Sequence, residues 1–324
     1  MTTLKWNKMG LLFEPNKFNI GDWMHEFAQA PCTLEFNDFI RVYFSCRSKP
    51  NEKNQYTSYA AYVDLCKNNL FKVLDIAKNP ILKLGKRGTF DEFGTYPISV
   101  LREGKKIVAY YGGWTRCESV PFDVSIGYAE SVDDGKNFEK LGDGPILGHS
   151  LEEPFIISGP KIRKYNDKWY LFYIAGKKWI QVDGKQEPIY KIRLATSDNG
   201  LTWNKLNKDI IADLIGQDEA QASPDVIFIN NKYHMFFCYR HATDYKQNKD
   251  KSYKIGYASS ENLVDWVRND SKAGIIISDS GWDSEMISYP HLFQLNGKLF
   301  MLYLGNEFGK YGFGIAELEK KELR

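Results

Sequence analysis

The sequence predicts an all-β chain: a five-bladed β-propeller of four-stranded antiparallel blades, with the last blade closed by the N-terminal strand. Three observations predict it. One phrase recurs five times at near-constant spacing, anchored on Pro31, Pro97, Pro160, Pro224 and Pro290. Each copy carries stretches of strand character separated by turn residues. The last copy lacks a fourth stretch, and the N-terminus supplies one that matches.

The first strand of each unit follows its proline, at residues 32–36, 98–101, 161–164, 225–229 and 291–295. Each runs into a polar turn, such as Asn166-Asp167-Lys168, Asn230-Asn231-Lys232 or Asn296-Gly297-Lys298. Asn, Asp and Gly tolerate the positive φ that tight hairpins require. An apolar, aromatic second strand comes next, at 40–44, 107–111, 169–173, 233–237 and 299–303. Third strands read at 58–62, 125–129, 191–195, 254–258 and 312–316, and a turn with Phe or Trp (Phe138, Trp203, Trp266) leads to a fourth. After the fifth unit no such segment remains. Leu4-Lys5-Trp6-Asn7-Lys8 matches Leu201-Thr202-Trp203-Asn204-Lys205, so joining the two ends in one blade removes a sheet edge. Residues 1–324 are thereby expected to form a single domain. Residues 45–57, 179–189 and 242–252 read as polar insertions.

Composition narrows the function classes. The 324 residues include 20 Tyr, 20 Phe and 8 Trp, an aromatic share common in β-rich proteins that handle carbohydrate. Net charge is +2, without the clustered basic excess of a nucleic-acid binder. No apolar run reaches membrane-spanning length, and the first residues lack a leader pattern, so a cytoplasmic protein with no membrane partner is expected. The five cysteines show no CxxC and no metal-ligand spacing. Reduced thiols, no metal and no cofactor are therefore expected, although Cys32 and Cys46 stand where one hairpin could bring them together. GxSxG, phosphate-loop and dinucleotide fingerprints are absent.

The candidate site follows from strand direction. First and second strands are antiparallel, so the loops before strand one and after strand two share one end. In a propeller the first strands line the channel, and these loops ring its mouth. The leading loops are acidic in register: Glu26, Glu92, Glu219 and Glu285 each stand five residues before the proline. The third unit has Phe155 there, with Glu153 just upstream; Asp91 and Asp283 stand near their glutamates. These seven are the candidate acid, base or nucleophile. The loops after strand two supply Arg47, Trp114, Arg116, Lys177, Arg240 and His241, the candidate substrate-binding set. Arginine and lysine suit an anion, and an aromatic face packs on the C–H face of a sugar ring. A structural account competes: in-register acids can hold backbone N–H groups, and cations can bridge blades. Of the histidines, His234 lies within a strand and reads as structural, and His241 is the preferred functional one.

On these phrases the chain resembles the five-bladed propeller superfamily of glycoside hydrolases, which includes arabinanases, xylosidases, invertases, levansucrases and mannoside phosphorylases. The resemblance covers essentially the whole chain. Its most telling stretches are Gly88-Thr89-Phe90-Asp91-Glu92 with Tyr96-Pro97, Tyr110-Tyr111-Gly112-Gly113-Trp114, residues 197–203, and Gly281-Trp282-Asp283. It is most similar to glycosidase-related propellers of the surface-polysaccharide type. The resemblance implies cleavage of a glycosidic bond, in an anionic or activated sugar, by paired carboxylates in a central pocket. Two alternatives stand beside it: an inverting phosphorylase that uses bound phosphate, and a non-catalytic sugar-binding propeller. The implied partner is a carbohydrate or nucleotide-sugar, not nucleic acid; the sequence sets no oligomeric state. Relatives of the arabinanase and invertase type carry an Asp directly before the first-strand proline in early blades. Here Ala30, Tyr96, Gly159, Ser223 and Tyr289 occupy those places. Glu153 matches the third-blade acid of many relatives.

Overall fold

Strand formation follows the repeat. The structure is a computed structural model that describes residues 4–319. An N-terminal strand, β1 (Trp6–Phe13), precedes the first unit: β2 (Glu26–Glu35), β3 (Phe39–Arg47), β4 (Ser58–Cys66) and β5 (Asn69–Ile76). The second holds β6 (Gly94–Glu103), β7 (Lys106–Arg116), β8 (Phe122–Ser131) and β9 (Glu139–Lys140). The third holds β10 (Ile157–Tyr165), β11 (Lys168–Val182), β12 (Lys185–Ser197) and β13 (Asn204–Lys205). The fourth holds β14 (Ala220–Ile229), β15 (Lys232–Arg240), β16 (Lys254–Ser260) and β17 (Val267–Arg268). The last has β18 (Ser288–Leu295), β19 (Lys298–Leu304) and β20 (Phe313–Leu318).

The third, fourth and fifth units are separate four-stranded antiparallel sheets. The first two differ from the expected pair of separate blades. They form one eight-stranded sheet, because β4 meets β6 through a single parallel bridge, Ser58 to Gly94. Each half keeps the four-stranded antiparallel order of the others. The N-terminal strand is the outer strand of the fifth sheet: β1 pairs with β20, with Trp6 opposite Leu318. Trp6 is buried, donates to the Ala273 carbonyl at 3.0 Å and meets Phe236 edge-on at 5.5 Å. First strands touch in series: β2 packs on β6, β6 on β10, β10 on β14, β14 on β18, and β18 on β2. Second-strand aromatics, including Phe44, Tyr110, Phe172, Phe236 and Tyr303, fill the core and are almost wholly buried.

Every first strand is interrupted at its proline. The register slips between Gln29 and Cys32, Thr95 and Ile98, Ser158 and Lys161, Ala222 and Asp225, and Ser288 and His291. These are β-bulges, which bend a strand and re-aim a side chain. Proline lacks the N–H for a ladder bond, so an in-register bulge is where the repeat can carry it. Ala30, Gly159, Ser223 and Tyr289 sit before the proline with φ of 50°, 62°, 49° and 52°. For Tyr289, a bulky residue, that left-handed backbone is strained by about 1–3 kcal/mol, a cost typical of functional positions.

Two further expectations are corrected. Residues 179–189 are not a loose insertion: β11 and β12 run on as one long hairpin, with Val182 opposite Lys185 and a left-handed Asp183-Gly184 turn. Cys32 and Cys46 do not face each other. Cys32 stands opposite Tyr43 and Cys46 opposite Tyr59, and both thiols are free and buried.

Candidate functional site

The leading-loop acids fall into two groups. Asp91, Glu153, Glu219 and Asp283 are buried, each inside its own unit. Asp91 accepts from Tyr111 at 2.9 Å and from Lys140 at 2.5 Å. Glu153 accepts from Tyr173 at 2.7 Å and Arg193 at 2.9 Å, and pairs with Lys205 at 2.6 Å. Asp283 accepts from Tyr303 at 3.0 Å and Lys8 at 2.7 Å. In all three the acid precedes its tyrosine by 20 residues. Glu219 uses backbone N–H groups of Leu214 and Ile215, at 3.0 and 3.1 Å, and Arg268 at 2.5 Å. The cation comes from the fourth strand every time: Lys140 in β9, Lys205 in β13, Arg268 in β17 and Lys8 in β1. Burial, and then the adjacent carboxylate, raises the pKa of the Tyr111, Tyr173 and Tyr303 phenols, so each remains a donor. Asp91, Glu153 and Asp283 thus tie the leading loop to the second and fourth strands of the same sheet, and Glu219 ties it to the fourth. The sequence places in-register acids around one mouth; the structure keeps these four apart.

A second polar group lies directly after the prolines and joins first strands to one another. The His291 Nδ1 lies 2.6 Å from Asp225, and its Nε2 accepts the Thr33 backbone N–H at 2.8 Å. That bonding fixes the tautomer: Nδ1–H donates to the carboxylate. Asp225 also takes Arg163 and, at 2.8 Å, the Leu292 N–H. Lys161 donates to the Pro31 carbonyl at 3.2 Å. Lys161, Asp225 and His291 are all at most 4% exposed. Burial, reinforced by Lys161, lowers the His291 pKa to about 4 against the pull of Asp225. Burial opposes ionisation of Asp225, but Arg163, His291 and Lys161 outweigh it and hold the group below the usual carboxylate range. Sequence reasoning missed this group. Its signal was available: the residue after the proline reads Cys32, Ile98, Lys161, Asp225, His291, and three titratable residues in a core strand position need partners.

The bulges direct Tyr96 and Tyr289 toward each other, and their hydroxyls are bonded at 3.0 Å. Burial raises Tyr96 to about 12, with Tyr289 and then Arg47 opposing. Beside this pair, Arg47 lies 4.3 Å over the Phe27 ring and 5.6 Å over Tyr56. Glu26 is the register partner of Arg47, and beyond what burial does its charge helps to raise the pKa of Tyr56. Lys310 feels the Glu26 charge. Arg116 donates to the Tyr56 carbonyl at 3.0 Å and stacks 4.0 Å over Phe93. Trp114 stands opposite Gly94, where any Cβ would fall 1.7 Å from the indole nitrogen. Three sequence candidates, Glu26, Arg47 and Arg116, therefore gather around Tyr56, and a fourth, Trp114, has its ring 6.0 Å from the Arg116 guanidinium. Among the described residues, neither Arg47 nor Arg116 is ion-paired to a carboxylate.

The other candidates stand elsewhere. Glu92 accepts the Gly88 N–H at 2.8 Å at the surface, and Glu285 is exposed beside Asn306. Lys177 is exposed and pairs with Asp209 at 3.2 Å. Arg240 is 1% exposed; it donates to the carbonyls of Pro188 and His241, at 3.0 and 2.9 Å, and stacks 3.7 Å over Tyr245. It also donates to Tyr253, which is bonded to Tyr190. Arg240 thus holds a tyrosine pair in place, and Tyr253 in turn packs 6.3 Å from Tyr289. His241 lines a separate cleft. His234 is engaged with Tyr257 at 2.7 Å, the structural role read from its strand position. Among the described residues, no cluster of three or more His, Cys, Asp or Glu is arranged to hold a metal ion, and no helix is long and apolar enough to cross a membrane.

No protein-family model matches the chain. It is 33% identical over 318 residues to the uncharacterized protein Rv1502 of Mycobacterium tuberculosis, covering 98% of this chain and 100% of that one. Over 178 residues, 52% of this chain and 54% of the other, it is 26% identical to a β-1,2-mannobiose phosphorylase of a Thermoanaerobacter species. Among solved structures, a glycoside hydrolase superposes with a TM-score of 0.74 at 16% identity, covering 97% of this chain and 92% of that one. The chain belongs to one family with Rv1502, and it shares its fold with the solved glycoside hydrolase.

Proposed function

We propose that this protein cleaves a glycosidic bond in a carbohydrate, with Glu26 as general acid. One observation carries the reading. Four of the seven sequence-predicted acids are neutralised inside their own sheets, whereas Glu26 stands opposite Arg47 and near Tyr56, whose carbonyl Arg116 holds, and neither arginine is ion-paired to a carboxylate among the described residues. The five units close as a propeller in this reading, residues 1–324 act as one domain, and the substrate enters over Tyr96 and Tyr289. Trp114 packs against a sugar ring. Arg47 and Arg116 hold an anion, either a charged group on the sugar, as in a nucleotide-sugar, or inorganic phosphate.

The lone acid and its cations favour phosphorolysis over a mechanism with two paired carboxylates. A phosphate oxygen attacks the anomeric carbon as the glycosidic C–O bond breaks. The Glu26 carboxyl gives its proton to the departing oxygen and recovers one from solvent. A single displacement of this kind inverts the anomeric centre. The likeness over half the chain to a mannobiose phosphorylase supports the same choice. The test is to incubate the protein with β-1,2-linked manno-oligosaccharides, with and without phosphate. Sugar 1-phosphate formed only with phosphate, and a roughly 10²–10⁴-fold lower rate in Glu26→Gln, is the expected result. Turnover equal in the variant removes Glu26 from the role. Turnover without phosphate gives hydrolysis, and saturable binding of saccharide with no product gives a binding protein.

A further inference from the structure

We infer that a cleft in the fourth unit, apart from the Glu26 group, is a subsite for one neutral sugar unit of a longer carbohydrate. The cleft has a volume of about 420 Å³ and lies between the leading loop at Ile215–Glu219 and His241, Thr243 and Lys251 after β15. That volume is within the range of small-molecule pockets, about 300–1,000 Å³. By strand direction it opens at the same end of the fold as Tyr96 and Tyr289.

Both walls are held from behind. Glu219 takes the Leu214 and Ile215 N–H groups, and Lys191 donates to the Glu219 carbonyl at 2.6 Å. On the other side, Arg240 fixes the His241 carbonyl at 2.9 Å, and the His241 N–H donates to Lys251 at 3.1 Å. The cleft is therefore formed before any ligand arrives, which lowers the ordering cost of binding. Inside it, the half-buried His241 imidazole has no hydrogen-bond partner among the described residues, and neither has the exposed Gln217 side-chain amide. Charges at the rim cancel: Asp218 pairs with Lys178 at 2.7 Å, and Lys251 with Asp244 at 2.5 Å. No Phe, Tyr or Trp is among the residues that line the cleft. Balanced charge disfavours an anion, and the polar lining disfavours an apolar ligand. An uncharged, hydroxyl-rich ring fits both conditions. The class of ligand rests on the carbohydrate reading above.

The experiment uses the full chain labelled with ¹³C at histidine Cε1. His241→Gln assigns the His241 signal among five histidines. Methyl α-D-mannopyranoside, methyl β-D-glucopyranoside and inorganic phosphate are titrated separately. At least one glycoside moves the signal saturably, phosphate does not, and Gln217→Ala weakens that glycoside about three- to tenfold. The shift persists in Glu26→Gln. Failure of both glycosides to move the signal, or movement with phosphate alone, overturns the subsite. The two readings fail separately: movement in a protein that cleaves nothing leaves the subsite standing, and cleavage without movement removes the subsite alone.

Discussion

Residues that look alike in sequence do different work according to their partners. Asp225 satisfies Arg163, His291 and the Leu292 N–H, and its own carboxylate is shut off from water. Asp225→Ala strands those donors and is expected to cost about 3–5 kcal/mol, read from urea unfolding. His291 gives a pH signature. Its folded pKa, near 4, lies below the unfolded value of about 6.5, so below pH 6.5 the unfolded chain binds a proton that the native imidazole refuses. Its stabilising contribution is complete above pH 6.5 and is lost as pH falls toward 4. Unfolding free energy should therefore decline across that window, and His291→Gln should flatten the decline. None of this was legible from the acid-to-proline offset, which pointed to leading loops rather than to the residue after the proline. Glu26, Glu219 and Glu285 share that offset, yet one stands opposite Arg47, one is buried and one is exposed. Offset fixes where a residue leaves the strand; the partners it meets sit on other strands and loops farther along the chain, and spacing does not encode them.

At the scale of elements, the tie between leading loop, second strand and fourth strand explains how two-residue strands such as β9 and β13 survive. So short a strand has little ladder of its own, and a buried ion pair pins it. Lys140→Met, which leaves Asp91 buried without its cation, should cost about 3–5 kcal/mol. Lys86→Met breaks an exposed pair with Asp143 at 2.6 Å and should cost less than about 1 kcal/mol. Denaturant melts of the two side by side decide whether the ties are structural. Gly94→Ala probes the mouth: the added Cβ collides with Trp114, so the indole must move. Altered Trp emission with a retained fold and lost turnover is the expected outcome. Four-stranded order was legible because aromatic periodicity and turn chemistry agree at each hairpin. The bulges were not, since a proline inside a strand signals an interruption without giving its geometry.

For the whole molecule, the ends of the chain share one sheet, and that much was legible from the match between the Trp6 and Trp203 phrases. The Ser58–Gly94 bridge that merges the first two sheets was not, because one backbone contact leaves no mark on side-chain pattern. Removing the segment up to Phe13 deletes the outer strand of the fifth sheet and the Lys8 partner of Asp283. The truncated protein should lose its single sharp unfolding transition and expose β20 as an edge, detectable as self-association by light scattering.

The pairing of β1 with β20 also bears on synthesis. The first strand is made about three hundred residues or more ahead of its partner, from Phe13 with Phe313 to Trp6 with Leu318, so it waits unpaired while other sheets form. Contacts so distant along the chain form slowly, and a product that ends before β20 leaves β1 without its partner. Until β20 is made, β1 is an open edge that a second copy of the chain can pair with.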